Sequence, residues 1–85
     1  MLRERFIKKI ISEIDTCKKS MSKVVTDYYN MTDNEKIQYI DNIVSLIRER
    51  LCLALDIKYL TFEEYNEENI KLSVYRETLV AFLEG

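Results

Sequence analysis

Apolar residues recur every three or four positions along most of this 85-residue chain, the spacing of one face of an α-helix. The first run consists of Ile7, Ile10, Ile14, Cys17, Met21, Val24 and Tyr28. A second run consists of Ile37, Ile40, Val44, Ile47, Leu51 and Ala54, and a third of Phe62, Tyr65, Leu72, Tyr75, Leu79 and Phe82. The pattern predicts three long amphipathic helices, over about residues 2–29, 33–55 and 62–84.

The starts of the second and third helices are marked by the same capping pattern. Thr32 is followed three residues later by Glu35, and Thr61 by Glu64, which is the spacing of a capping box. The chain contains no proline, and its single glycine is Gly85, so nothing inside the runs interrupts a helix. We therefore expect an all-α three-helix bundle formed as one domain over residues 1–85.

Two stretches leave alternatives open. Large apolar residues also recur with period two at Leu51, Leu53, Leu55, Ile57 and Tyr59, which is typical of a short strand. We nevertheless expect helix to about residue 55 and a connection over 56–60. Asn69 lies within the third apolar run, where a polar residue either breaks the helix or fixes its register. The third helix is therefore either continuous or divided into residues 62–69 and 73–83.

The predicted helices offer more apolar residues than a slender bundle can bury. A helix of ~27 residues is ~40 Å long, whereas a compact chain of this size has a radius of gyration of only ~12 Å. The residues left outside the inner seam are Ile11, Val25, Tyr29, Tyr39, Ile43, Leu46 and Leu53. Because exposed apolar patches mark interaction surfaces, we expect another protein as partner, and self-association as a homodimer.

The turn between the first two helices is the best candidate for direct contact with a partner. It brings together Tyr28, Tyr29 and Met31, and tyrosine combines a large apolar ring with a polar tip. With Tyr39, Ile43 and Leu46 these residues form the predicted partner-binding surface, composed of Tyr28, Tyr29, Met31, Tyr39, Ile43 and Leu46. The alternative is that the tyrosines only close the end of the bundle.

Charge is unevenly distributed, although the chain as a whole carries a net charge of −2. Residues 1–23 contain seven Lys or Arg against three acids, and residues 56–85 contain seven acids against three bases. One interpretation is internal pairing between the first and third helices. The other is that Arg3, Arg5, Lys8 and Lys9, which oppose the dipole of their own helix, steer an acidic protein or a nucleic acid to the surface.

The sequence contains few of the residue types and motifs that catalyse reactions or bind metals and cofactors. The sequence has no histidine, no Cys-x-x-Cys and no glycine-rich loop, so we expect no enzymatic activity, no metal and no cofactor. Glu63 and Glu64 lie in a first helical turn, where carboxylates satisfy the helix dipole. Cys17 and Cys52 are predicted to be too far apart for a disulfide and to be free, mostly buried thiols.

The hydrophobicity of the sequence also predicts where in the cell the protein is located. The longest purely apolar run is five residues, far short of the ~20 that span a bilayer. No secretory signal pattern is present, so we expect a cytoplasmic protein that does not contact membranes. Frequent Lys, Ile, Asn and Tyr are typical of AT-rich genomes such as those of many phages and viruses.

These patterns support three hypotheses about the function of the protein. The first is a small non-enzymatic regulator, adaptor or inhibitor that binds another protein through a helical surface. The second concerns residues 72–83, where Arg76, Glu77 and Thr78 precede an apolar run. That segment resembles the recognition helix of helix-turn-helix regulators, with its turn over residues 69–72, and the resemblance implies nucleic-acid binding. The third is a structural subunit of a homo-oligomeric assembly.

Overall fold

The computed structural model describes residues 2–85, which form three helices: α1 (Leu2–Asp27), α2 (Asp33–Asp56) and α3 (Phe62–Glu84). The predicted all-α three-helix bundle is confirmed. The first helix ends two residues earlier than expected, so Tyr28 and Tyr29 lie in the turn. No strand occurs within residues 2–85, and the alternating segment after residue 51 is helix followed by a turn.

Asn69 does not interrupt α3. Its side-chain Nδ2 donates to the carbonyl of Tyr65, 3.0 Å away on the preceding turn of the same helix. The amide therefore has a partner within an intact helix, and the interpretation with two shorter helices is wrong. The turn that the helix-turn-helix resemblance requires over residues 69–72 is likewise absent, because these residues are helical.

Both predicted capping boxes form. The Thr32 hydroxyl accepts from the amide of Glu35 and the Glu35 carboxylate accepts from the amide of Thr32, each at 3.2 Å. At Thr61 and Glu64 the equivalent distances are 3.1 and 3.0 Å. Each box satisfies two backbone donors that a helix start leaves unpaired, which fixes where α2 and α3 begin.

The end of α2 is a Schellman motif built without glycine. The amide of Tyr59 donates to the carbonyl of Ala54 at 2.9 Å and that of Lys58 to Leu55 at 3.0 Å, while Lys58 adopts a left-handed φ of 61°. The last turn of α2 contains no basic residue. A cation comes instead from α1, since the Arg3 guanidinium donates to the carbonyl of Ile57 at 3.0 Å.

α2 lies at the centre of the bundle, packed against both neighbours, while α1 and α3 contact each other less. The resulting molecule is elongated and flattened, 43 × 24 × 14 Å, with a radius of gyration of 14.1 Å. Its main core is formed by Met21, Val24, Ile40, Ile43, Val44, Ile47, Leu51 and Leu72. Two ion pairs connect the helices at the rim of this core: Glu13 with Arg50 between α1 and α2, and Asp41 with Arg76 between α2 and α3.

Burial differs from the sequence expectation at several positions. Ile43 belongs to the core, so its assignment to an exposed partner-binding surface is wrong, and Val25 is half-buried against the same core. Phe62 and Phe82, expected in the seam, are exposed. Both cysteines are free as predicted, but Cys52 is exposed and only Cys17 is half-buried. Within residues 2–85, no helix combines the length and the apolar character needed to cross a bilayer.

Candidate interaction surfaces

The turn between α1 and α2 carries the surface that the sequence predicted. Tyr29 projects from it with 86% of its area exposed, whereas Tyr28 packs edge-on against Tyr39 of α2, with ring centroids 5.9 Å apart. Leu46 lies two helical turns beyond Tyr39 on α2 and is 45% exposed. We call Tyr28, Tyr29, Tyr39 and Leu46 the tip surface; Met31, also predicted here, is half-buried.

At the tip, the packing of Tyr28 and Tyr39 affects the titration of Tyr39. Partial burial raises the pKa of Tyr39, and the charge and hydrogen-bonding effects of Tyr28 raise the pKa of Tyr39 further. The edge-to-face pair closes this end of the bundle, which is the structural role considered above for these residues. Tyr29 takes no part in that closure and remains available to a partner.

A second apolar surface lies on α3 and was not expected from the sequence. Ile70 and Val74 are 64% and 60% exposed and, with the small exposed residue Ala81, follow one line along the helix. Phe82 is 70% exposed but lies on another side of α3, where it borders Ser22 and Val25 of α1. The core contacts of α3 come from other positions, represented by the buried Leu72 and Val80. We call Ile70, Val74 and Ala81 the α3 outward face. The sequence does contain a signal for this face: Ile70, Val74 and Ala81 are separated by four and seven residues, which is the spacing of a second apolar stripe on the same helix.

The α3 outward face is bordered by acids. Five exposed glutamates lie on this helix: Glu63, Glu64, Glu67, Glu77 and Glu84. Its two basic residues are both engaged within the chain: Lys71 approaches Glu68 at 3.5 Å, and Arg76 is held by Asp41 and Glu77. The Asp41 carboxylate, followed by Glu77, raises the pKa of Arg76. The face therefore combines exposed apolar side chains with an excess of negative charge.

The four residues predicted to steer a partner divide into two groups. Arg3 donates to the carbonyl of Ile57 at the end of α2, so its guanidinium is engaged within the chain while keeping its charge. Arg5, Lys8 and Lys9 are exposed and form no ion pair or side-chain hydrogen bond within residues 2–85. No ion pair in this part of the chain joins a cation of α1 to an acid of α3, so the predicted internal pairing of these helices is absent.

Two further surface features are a groove and a polar contact between two side chains. A largely apolar groove of about 250 Å³ lies where the α2–α3 turn meets α1, and Ile10, Ile14, Leu51 and Leu60 line it. Elsewhere the exposed Cys52 thiol lies 3.3 Å from the Tyr65 hydroxyl. Among residues 2–85, no three Cys, Asp or Glu side chains come together in a group that could hold a metal ion.

Comparisons with protein-family models, with curated proteins and with solved structures find no match to this chain.

Proposed function

We propose that this protein is a non-enzymatic binding module, a regulator, adaptor or inhibitor that contacts another protein through the α3 outward face. The observation that supports the proposal is that α3 is apolar on two faces. Its inner positions pack against α2, yet Ile70 and Val74 on the opposite side each leave at least 60% of their area in water. Large apolar side chains grouped in this way on one helix are typical of interaction surfaces.

The energetics favour covering this face. Full burial of a large apolar side chain contributes ~1.5–3 kcal/mol relative to exposure. Covering what remains exposed of Ile70 and Val74 contributes roughly 2–4 kcal/mol before the cost of association. Within the isolated chain this free energy is not recovered, because the residues point away from the core.

Charge indicates the chemistry of the partner. Packing the α3 outward face against a second copy of itself brings Glu67 and Glu77 of one chain close to the acids of the other, and like charges across an interface are unfavourable. A complementary partner presents an apolar stripe flanked by Lys or Arg. We therefore propose a different protein as occupant, while the homodimer expected from the sequence stays a prediction for which the tip surface is available.

Capture of partners by the full chain tests the proposal. The wild-type protein and the Ile70→Glu/Val74→Glu variant are used as baits in lysate of the cells that express the protein, and retained polypeptides are identified by mass spectrometry. We expect a polypeptide that remains bound at 0.5 M salt and is lost with the variant. Both substitutions are at exposed positions, so the variant is expected to fold with a change below ~0.5 kcal/mol each.

The matched control is Asn66→Glu/Lys71→Glu, which adds acids to the exposed surface of the same helix without removing an apolar residue. It is expected to retain the polypeptide. The proposal is overturned if no polypeptide depends on Ile70 and Val74, or if analytical ultracentrifugation shows a dimer that these two substitutions dissociate. In the latter case the face is a self-association surface.

A further inference from the structure

The outward side of α1 carries an unbroken strip of exposed hydrogen-bond donors. Positions separated by three or four residues follow one line along this helix, and every one of them is exposed: Arg5, Lys8, Lys9, Ser12, Thr16, Lys19 and Lys23. We call these seven residues the cationic strip. From residue 5 to residue 23 it extends ~27 Å at 1.5 Å per residue.

The strip contains no carboxylate. Of the four acids of α1, Glu13 pairs with Arg50 of α2, and Asp15 borders the apolar groove. The exposed Glu4 and Asp27 lie at the two ends of the helix, four residues from Lys8 and Lys23, and form no ion pair with them. Within residues 2–85 the five cations of the strip form no ion pair, and its two hydroxyl groups donate no hydrogen bond. Positive charge near the start of α1 also opposes the helix dipole. The isolated fold gains nothing from this arrangement.

We infer that the cationic strip binds the phosphate backbone of a nucleic-acid duplex without reading its sequence. A backbone offers a long row of closely spaced negative charges, one per ~3.4 Å of each strand. Lys, Arg, Ser and Thr side chains are the groups that donate to phosphate oxygens. The strip supplies only these, over a length that covers several successive phosphates.

The residue types that are absent from the strip indicate which form of nucleic acid it binds. It has no aromatic residue on which unpaired bases stack, which single-strand binders use. It has no Asn or Gln, the side chains that read adenine in the major groove. A duplex held through its phosphates is the ligand that needs neither group. The seven residues thus favour sequence-independent contact with a double helix.

The overall net charge of −2 does not oppose local binding. Within residues 2–85 no acid of α3 pairs with a cation of the strip, and α1 and α3 are the two helices that contact each other least. Charges separated by more than the Debye length, ~8 Å at physiological salt, are largely screened from each other. A duplex that approaches the exposed side of α1 therefore interacts mainly with the cations of the strip.

Fluorescence anisotropy of the full chain with a labelled 30-base-pair DNA duplex of mixed sequence, and with the same duplex as RNA, tests the inference. Five phosphate contacts predict a loss of about 10²–10³-fold in affinity between 50 and 200 mM salt. Unlabelled duplexes of unrelated sequence are expected to compete equally. The triple variant Lys8→Gln/Lys9→Gln/Lys19→Gln is expected to bind at least about tenfold more weakly at 50 mM salt, with a shallower salt dependence.

The control triple variant Lys36→Gln/Lys58→Gln/Lys71→Gln removes the same charge outside the strip and is expected to change affinity less than about threefold. Equal losses in both triples, or no binding of either duplex at 50 mM salt, overturn the inference. Tighter binding of polyglutamate than of the duplex also overturns it and assigns the strip to an acidic protein. Ile70→Glu/Val74→Glu is expected to bind the duplex as the wild type does, which separates this test from that of the proposed function.

Discussion

The Arg76 guanidinium of α3 holds both carboxylate oxygens of Asp41 on α2, with Nε–Oδ1 at 2.8 Å and Nη2–Oδ2 at 3.3 Å. This two-point contact fixes the position of α3 along α2. Exposed ion pairs stabilise proteins by ~0.2–1 kcal/mol, and paired bidentate geometry places this one at the upper end. A double-mutant cycle with Asp41→Asn and Arg76→Gln is expected to give a coupling of ~0.5–1 kcal/mol in the free energy of urea unfolding.

Glu77 provides the control for this pair, since it contacts the same guanidinium at 2.8 Å from a far more exposed position. Glu77→Gln is expected to lower the free energy of unfolding by less than ~0.3 kcal/mol. A coupling between Asp41 and Arg76 no larger than that value contradicts the view that their contact positions α3.

Lys58 occupies the left-handed position that ends α2, with φ of 61°. A side chain with a Cβ atom costs ~1–2 kcal/mol there, while glycine loses ~0.5–1 kcal/mol of extra chain entropy on folding. Lys58→Gly is therefore expected to raise the free energy of unfolding by about 0.5–1 kcal/mol. Thermal unfolding followed by circular dichroism measures the change. Lys58→Ala is the comparison, and an equal gain from Ala shows that the left-handed backbone is not the cause.

Ile47 and Leu46 are adjacent in sequence but differ in environment. Ile47 is 1% exposed in the core between the helices, and Leu46 is 45% exposed on the tip surface. Ile47→Ala is expected to cost ~2–4 kcal/mol, because it removes buried contacts and leaves a cavity. Leu46→Ala is expected to cost less than ~1 kcal/mol. Chemical denaturation compares the two, and similar losses contradict the described packing of α2.

Tyr39 gives a pH-dependent prediction. Its folded pKa is raised above the ordinary value of 10.0, first by partial burial and then by Tyr28. The protonated form is favoured in the folded state, so this contribution to stability is complete below pH 10 and is lost as pH rises through the folded pKa. Following the tyrosine ring signals by NMR between pH 8 and 12 is expected to show Tyr39 titrating above 10.0.

Tyr28→Phe separates the two causes of that shift. It removes the neighbouring hydroxyl while keeping the ring that partly buries Tyr39, so the pKa of Tyr39 is expected to fall but to stay above its ordinary value. Titration of Tyr39 at or below 10.0 in the wild-type protein contradicts the packing of the two rings at the tip.

The helices and their starting points could be read from local signals. A capping box needs only Thr32 and Glu35, or Thr61 and Glu64, because donors and acceptors are three residues apart on the same chain. The three- and four-residue spacing of apolar residues likewise needs no distant contact to predict a helix. Asn69 could not be decided in this way, since whether a polar residue breaks a helix depends on the partner that its side chain finds, here the carbonyl of Tyr65.

By itself, the sequence determined that this protein is three helices with given starts and an approximate buried stripe on each, because these properties arise from contacts within a few residues. Only the tertiary structure decided how wide each stripe is. α2 has neighbours on two sides, so its buried arc extends to Ile43, whereas α3 lies at the edge and leaves Ile70, Val74 and Phe82 in water. Which helix lies beside which also decided that Arg3 serves the end of α2 while Lys8 and Lys9 remain unpaired within residues 2–85.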